Sequence, residues 1–335
     1  PDHRGSTGGG VGYTLRHCAY FNTGEQCHFC SITPEQKHRQ EIGIEGAQTV
    51  ADTIEQTKAA TKQRVAEVRA QYGPYLDANI PCGQDNCSCI RSNMTIGALG
   101  TYEAEVAYHY SRIRAMREAV PGLPIHLTAG AIKEADAKAL AELGVHALCE
   151  NLEVWDEKLF QWICAGKAKH VGRDEWIDRI VSAVKYYPRG HVYSNFVAGV
   201  EMAQPHGFKT VDEALKSTLG GWEWLMQQGV SVYWQIWATA PGSLFQDQVL
   251  PPTEFYLSLA EEWYKLIRQY DLFRATTHWC CKRCNNNPQG PFNRMRWYPG
   301  GFPPDNTLRP ERPLEEMLAE REQGARQRKL VAAKA

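Results

Sequence analysis

Short apolar segments alternate along this chain with longer segments in which apolar and polar residues recur at helical spacing. Six of the short segments are predicted strands: 11–16, 92–96, 124–128, 145–149, 191–198 and 230–237. The segments between and after them are predicted helices: about 45–71 (ended by Gly73 and Pro74), 103–119, 133–143, 156–164 with 174–186, 211–228 and 253–270. Regular alternation of strand and helix predicts a parallel sheet covered by helices.

The predicted fold is therefore α/β, a (β/α)6 partial TIM barrel over residues 10–272. A doubly wound open sheet is the alternative, but such sheets usually have a glycine-rich nucleotide loop after the first strand, where this chain has cysteines. Residues 273–335 are predicted as a C-terminal extension with a helical tail of mixed charge. In barrels the loops at the carboxyl ends of the strands build the active site, so we expect the functional residues there.

Composition narrows the class of protein. The 335 residues, 43% of them apolar, suffice for one large α/β barrel or two ordinary domains. A formal charge of −1, from 37 basic and 38 acidic side chains, provides no electrostatic footprint for nucleic acid or an anionic membrane. We find no apolar run of about 18 residues and no signal-peptide core. We therefore expect a soluble, cytoplasmic protein without nucleic-acid or membrane partners.

Cysteine usage points to metal. The chain has eleven cysteines, an odd number that argues against a complete disulfide framework. Nine fall into three groups: Cys18, Cys27 and Cys30; Cys82, Cys87 and Cys89; and Cys280, Cys281 and Cys284. In a reducing compartment such groups indicate metal more often than disulfides. The isolated Cys149 and Cys164 are predicted to be buried apolar residues.

The first group, spaced C-x8-C-x2-C, directly follows the first predicted strand. Three thiolates leave one position of a metal cluster open for a substrate or cofactor, whereas closed structural sites use four ligands. Phe29, just before the last cysteine, is placed to pack beside the metal. A zinc site completed by His17 or His28 is the alternative, because C-x2-C supports zinc equally well.

Over roughly residues 10–270 the sequence resembles the radical S-adenosylmethionine (radical SAM) enzymes, and within them the biotin-synthase-like group. In that superfamily three cysteines after the first strand bind a [4Fe-4S] cluster. Its fourth iron is chelated by the amino and carboxylate groups of S-adenosylmethionine. Cys18, Cys27 and Cys30, with Phe29, resemble this layout, although the family usually has three residues where this chain has eight between the first two cysteines.

The resemblance implies an activity and partners. One electron from the reduced cluster would cleave S-adenosylmethionine to methionine and a 5′-deoxyadenosyl radical, which abstracts hydrogen from a small-molecule or carrier-bound substrate. An electron donor such as flavodoxin or ferredoxin is implied as well. The reaction that follows hydrogen abstraction is undetermined by the sequence.

The resemblance also implies cofactor-binding residues. Asn151 and Glu153 resemble the Asn-Leu-(Asp/Glu) pair that binds the ribose hydroxyls, with a helix cap as the alternative. Gly199 and Glu201 resemble a glycine-rich turn with an acid near the adenine. The remaining positions are Gly97, Gly100 and Thr101, in place of a Gly-Gly-Glu segment that meets the methionine amino group, and Arg173 or Arg179 for the methionine carboxylate.

The other two cysteine groups are expected to supply ligands to an auxiliary iron–sulfur cluster, which in the resembling families donates sulfur, relays electrons or binds substrate. A structural zinc and plain or disulfide-bonded cysteines are the alternatives. Two rival functions also stay open. One is a zinc-stabilised binding or scaffold protein, and the other is a non-radical enzyme whose open iron acts as a Lewis acid on the substrate.

Overall fold

A computed structural model of the chain describes residues 11–15, 18–34, 37, 53–76, 92–123 and 125–272. Its centre is one sheet of six strands, paired in chain order and all parallel. The strands are β1 (Val11–Leu15), β2 (Ser92–Ile96), β3 (Ile125–Ala129), β4 (Val145–Glu150), β5 (Val192–Ala198) and β6 (Ser231–Ile236). The predicted α/β fold with a parallel sheet is confirmed. The closure of the sheet into a partial barrel stays a prediction, and the C-terminal extension lies outside the described residues.

Helices connect the strands. They are α1 (Tyr20–Thr23), α2 (Ile54–Leu76), α3 (Tyr102–Ala119), α4 (Glu134–Glu142), α5 (Glu157–Ile163), α6 (Ala165–His170), α7 (Arg173–Ala183), α8 (Val211–Gln227) and α9 (Thr253–Gln269). Local sequence fixes several of their starts. Thr101 caps α3 by accepting a hydrogen bond from the Ala104 N–H at 3.2 Å, and Thr210 and Glu213 form a capping box at α8. Among the helices of the described ranges, none is long and apolar enough to cross a membrane.

Helix α2 differs from its prediction. Gly73 and Pro74 were expected to end it, but the helix passes through both and ends at Leu76. Proline lacks an N–H group, but near a helix end this removes few internal hydrogen bonds. The packing of α2 along α3 supports the helix, with Thr57 and Thr61 fully buried one turn apart. Most of the predicted beginning of this helix lies outside the described residues. The short α6 was not predicted at all.

The sheet has two different faces, as alternation along each strand requires. One face packs into a large core in which the rings of Trp222, Trp234 and Phe196 contact one another. The other face carries a separate small cluster composed of Ala147, Cys149, Tyr193 and Tyr233. This second face is more polar, because the half-buried Thr128 and Asn195 share it with Cys149. It therefore offers hydrogen-bonding groups at the carboxyl ends of the strands.

Two adjacent glycines in α8 lead to a test of the packing. A Cβ atom on Gly221 would lie 2.0 Å from the Trp155 ring, whereas nothing lies within 4 Å of a Cβ atom on Gly220. Gly221→Ala is expected to destabilise the protein by about 1–3 kcal/mol through overpacking. Gly220→Ala should be neutral or stabilising by up to about 1 kcal/mol, because alanine favours helix. Urea unfolding of the two variants measures the difference, and equal stabilities would contradict this packing.

Candidate cofactor-binding site

The cysteine loop (residues 18–30) is a folded turn at the carboxyl end of β1 rather than an extended connection. The Ala19 N–H donates to the Ala98 carbonyl after β2 at 2.7 Å, which holds the beginning of the loop against the neighbouring strand. Further along, the Glu25 N–H donates to the Tyr20 carbonyl at 2.8 Å around Gly24, whose φ is +72°. The loop therefore has a defined backbone that fixes where its cysteines lie.

The structure brings the three predicted thiols together. Cys18, Cys27 and Cys30 are free, partly buried and close enough that the charge of one affects the pKa of another. Burial raises the pKa of the Cys30 thiol to about 12 and raises that of Cys18 as well. For Cys27 the direction is opposite, because a hydrogen bond with the Cys164 thiol lowers the pKa and outweighs burial. Three soft donors with partial access to solvent suit iron–sulfur or other thiophilic metal chemistry.

In the part of the chain that the structure describes, no three histidine, cysteine, aspartate or glutamate side chains are placed to hold a single metal ion. The ligands of an iron–sulfur cluster bind different iron atoms and therefore lie further apart than the ligands of one ion. Three neighbouring thiols in one loop thus fit a cluster by the chemistry of their donor atoms. Cys82, Cys87, Cys89, Cys280, Cys281 and Cys284, predicted for an auxiliary centre, and His17 all lie outside the described residues.

A segment far along the chain supports the cysteine loop, although no sequence pattern indicates this contact directly. This docking segment (residues 163–170) begins with a carbonyl that accepts from the His28 N–H at 2.9 Å. The Gly166 N–H donates to the Glu25 carbonyl at 2.8 Å. A Cβ atom on Gly166 would lie 2.6 Å from the Tyr20 ring, so this close approach needs glycine. An isolated glycine within a helical pattern was the available signal.

The long spacing between the first two cysteines has a structural use. Glu25, inside that spacing, forms an ion pair with Lys169 and a hydrogen bond with His170, whose Nε2 lies 2.8 Å from Glu25 Oε2. These contacts lower the pKa of Glu25 to about 2. The Tyr20 ring stacks on His170 with ring centroids 5.4 Å apart. The additional residues therefore attach the loop to α6.

The second half of the loop is held by aromatic side chains. The His28 ring lies edge-on to Trp162 and to Phe245, with centroids 5.6 and 5.3 Å apart, and burial lowers its pKa. The His28 carbonyl also accepts from the Phe245 N–H at 3.0 Å. Phe29 packs against the main core, next to Cys30. The loop is thus bound on one side by the docking segment and on the other by residues that follow β6.

The turn after β4 contains the predicted Asn151 and Glu153. Glu153 has a φ of +73°, uncommon for a residue other than glycine, and its backbone pairs with β5. Lys167 of the docking segment donates to the Asn151 carbonyl at 2.6 Å and to Glu153 Oε1 at 2.8 Å. The Asn151 side chain accepts a hydrogen bond from the Cys149 thiol at 2.9 Å. Both predicted residues therefore lie at the carboxyl edge of the sheet, and their hydrogen bonds with Lys167 attach them to the docking segment.

The loop after β2 contains Gly97, Gly100 and Thr101. Gly100 has a φ of +100° and approaches Ala19, and Thr101 serves as the helix cap described above. Glu105, which the sequence analysis missed, turns back so that its Oε1 accepts from the Leu99 N–H at 3.0 Å. Burial raises the pKa of Glu105. A carboxylate therefore lies at this loop, although none directly follows the glycines in sequence.

The turn after β5 uses Gly199 and Glu201 internally. Gly199 has a φ of +111°, and its N–H donates to Glu201 Oε2 at 2.6 Å. The Thr218 hydroxyl donates to the other carboxylate oxygen at 2.8 Å. Glu201 is only 3% exposed, and burial raises its pKa to about 7. Its carboxyl group closes this turn, so the backbone of the turn is fixed.

The two predicted arginines are bound to other groups. Arg173 donates to the Trp155 carbonyl at 2.7 Å and lies over the Trp155 ring, at an open groove of about 590 Å³. Arg179 contacts Glu175 and the Ala131 carbonyl. Lys167, by contrast, acts electrostatically on the thiols of the cysteine loop. Lys167 is thus a basic side chain at the site that the sequence analysis did not select.

Solved structures similar to this chain include those of two enzymes. The crystal structure of methylornithine synthase (PylB) is similar with a TM-score of 0.48 and 15% identity, covering 76% of this chain and 62% of that one. Coproporphyrinogen III oxidase (HemN) from Escherichia coli, a radical SAM enzyme, is similar with a TM-score of 0.46 and 12% identity, covering 80% and 54%. This chain therefore spans less than two thirds of the length of either. No protein-family model matches the sequence, and no curated protein does so either.

Proposed function

We propose that this protein is a radical SAM enzyme that takes hydrogen from a small-molecule or carrier-bound substrate. The observation that carries the proposal is the cysteine loop, in which three free thiols lie together at the carboxyl end of β1 in a parallel sheet. Ligands in parallel α/β sheets bind at that edge. Among the described loops of the edge, those after β2, β4 and β5 carry further polar groups that fit the cofactor.

Cys18, Cys27 and Cys30 would bind three irons of a [4Fe-4S] cluster. When bound, the cluster and S-adenosylmethionine supply a carbon radical that protein side chains cannot provide. The chain's own residues bind and orient the cofactor. Asn151 and Glu153 would bind the ribose hydroxyls, because an amide and a carboxylate can donate to and accept from a diol.

Further residues would hold the two ends of the cofactor. The rigid turn formed by Gly199 and Glu201 would pack on the adenine, because its own hydrogen bonds fix the backbone. Glu105, which lies at the β2 loop with Gly97 and Gly100, has the charge needed for the methionine amino group. Arg173, the predicted partner of the methionine carboxylate, would have to leave Trp155 for that role, whereas Lys167 is already beside the loop.

The proposed substrate space is the polar face of the sheet. Tyr193 and Tyr233 meet edge to face, with ring centroids 4.8 Å apart. Their buried rings exclude water from the part of this face that they cover. Beside them, in register across the strands, Cys149, Asn195 and Thr128 provide a thiol, an amide and a hydroxyl. We further propose biotin-synthase-like chemistry, a flavodoxin or ferredoxin as electron donor, and an auxiliary cluster bound by the other cysteines. With that cluster, sulfur insertion or substrate ligation is the expected reaction class.

The test is anaerobic reconstitution with iron and sulfide, followed by incubation with S-adenosylmethionine and dithionite. We expect a brown protein that forms 5′-deoxyadenosine, and Cys27→Ala should form less than about a hundredth as much because a cluster ligand is lost. The substitution Lys138→Ala is the control, since this side chain is 57% exposed on α4 and lies outside the loop and the proposed cofactor-binding residues. Zinc instead of iron in the protein would favour the scaffold function, and a full cluster without product, with or without added substrate candidates, would favour the Lewis-acid enzyme.

A further inference from the structure

A buried ion pair lies beside the cysteine loop. Lys167 and Glu153 are 2.8 Å apart, and their side chains are only 12% and 10% exposed. In each of the other ion pairs found among the described residues, at least one side chain is 44% or more exposed. Exposed pairs are screened by water and salt, whereas buried charges act over longer distances. Burying the Lys167–Glu153 pair therefore costs desolvation free energy that the rest of the fold must offset.

The geometry places this pair next to the proposed cluster ligands. Lys167 directly follows Gly166, whose N–H is bonded to the Glu25 carbonyl two residues before Cys27. Cys164, three residues before Lys167, shares a hydrogen bond with the Cys27 thiol. The Lys167 ammonium also lies 4.7 Å from the centre of the Trp176 ring, which holds it within the protein. The cation therefore cannot move away into solvent without breaking several contacts.

Charges at this place act on the cysteine loop with opposite signs. Lys167 carries a positive charge and Glu153 a negative one, and the hydrogen bond between Gly166 and Glu25 holds both beside the loop. An iron–sulfur cluster with three thiolate ligands is an anion, and reduction adds a further negative charge. A nearby cation stabilises the reduced form more than the oxidised form, and a nearby carboxylate does the reverse. A cation such as Lys167 therefore favours reduction of the proposed cluster, and a carboxylate such as Glu153 opposes it.

We propose that Lys167 and Glu153 are positioning residues that together set the reduction potential of the cluster, with Lys167 raising it and Glu153 lowering it. This inference rests on the proposed function, because it requires a cluster on the cysteine loop. It adds to that function a role for the ion pair in how readily the protein accepts an electron. Glu153 would then act on the cluster electrostatically as well as on the ribose.

The experiment is a redox titration of the anaerobically reconstituted protein, followed by electron paramagnetic resonance and performed without S-adenosylmethionine. Lys167→Met is expected to shift the midpoint to more negative potential, and Glu153→Gln to shift it to more positive potential. The double variant should lie between the two single variants. Lys185→Met is the control, because its ammonium is 63% exposed and pairs with Glu134 at the surface, so its removal should leave the midpoint unchanged.

Opposite shifts are the result that a merely structural role does not produce, since loosened packing has no reason to change sign between the two variants. Midpoints that move in the same direction, or that do not move, overturn the inference while the wild-type cluster still supports the proposed function. A wild-type protein that binds no cluster overturns both. If Lys167→Met does not fold because it leaves a buried carboxylate unpaired, the shift of Glu153→Gln alone decides the inference.

Discussion

Replacing Gly166 by valine is expected to weaken retention of the cluster about 30-fold while leaving the sheet folded. A Cβ atom at this position would lie 2.6 Å from the Tyr20 ring and 2.7 Å from the Glu25 carbonyl oxygen, so the cysteine loop must move. Overpacking of this kind costs about 2 kcal/mol, which corresponds to roughly 30-fold in an equilibrium. Because Glu25 lies two residues from Cys27, the displacement reaches a proposed ligand directly.

Iron content per chain after reconstitution and gel filtration measures this effect, and far-ultraviolet circular dichroism measures the fold. Gly220→Val is the matched control, because it places the same side chain in a helix at a position with nothing within 4 Å. The control variant should keep its iron. If Gly166→Val retains iron as well as Gly220→Val does, the docking segment does not position the cysteine loop.

Glu150→Gln is expected to make the protein more stable at alkaline pH and to flatten its dependence on pH. Glu150 is fully buried, and its Oε2 has no hydrogen-bond partner among the described residues, whereas Oε1 accepts from the Ile132 N–H. Burial raises the pKa of Glu150 from 4.5 to about 8, although the Ile132 N–H and the Arg179 charge oppose the shift. The folded protein therefore keeps a proton that the unfolded chain loses at lower pH.

The sign of this pH dependence follows from the numbers of protons that the folded and unfolded states bind. Between the unfolded pKa of 4.5 and the folded pKa of about 8, the folded state binds more protons, so stability falls as the pH rises through this window. The full loss is roughly 4–5 kcal/mol, because one pKa unit corresponds to about 1.4 kcal/mol. The neutral amide in Glu150→Gln does not lose a proton, so this contribution disappears.

Urea unfolding of the wild type and of Glu150→Gln from pH 5 to pH 9 measures the difference. The two proteins should be of similar stability at pH 5, diverge progressively as the pH rises to about 8, and keep a constant difference above it, with the variant more stable. Glu142→Gln is the control, because this carboxylate is 67% exposed and pairs with Lys138 at the surface. Parallel pH profiles for wild type and Glu150→Gln would show that burial does not hold the Glu150 carboxyl protonated.

Local sequence patterns predicted the strands and most helices because their causes are local. All six strands lie within two residues of their predicted bounds, and Gly144, with a φ of +95°, follows α4 as expected of a helix terminator. Cys149 and Cys164 are buried, as predicted. By contrast, α2 continues past Gly73 and Pro74 to Leu76, so these two residues do not end the helix as their local signal predicts.

Local patterns predicted only part of the site, because its other contacts join residues that are far apart in the sequence. The close spacing of Cys27 and Cys30 restricts where their thiols lie, so a local pattern sufficed to select them. The contacts of Gly166 with Tyr20 and of Lys167 with Glu153 join residues that are distant in sequence. No periodicity or spacing encodes such pairs, which become visible only when the chain is folded. Glu105 was missed because its carboxylate returns to the β2 loop from within a helix.

The backbone hydrogen bonds of the cysteine loop also bear on when the protein could bind the proposed cluster. The His28 carbonyl is bonded to the Phe245 N–H, and the His28 N–H to the Ile163 carbonyl, so both partners are made long after the loop itself leaves the ribosome. A chain still being synthesised therefore has its first cysteines before the two backbone partners of His28 exist. The proposed cluster would then be bound in its final geometry only after β6 and the residues that follow it have folded.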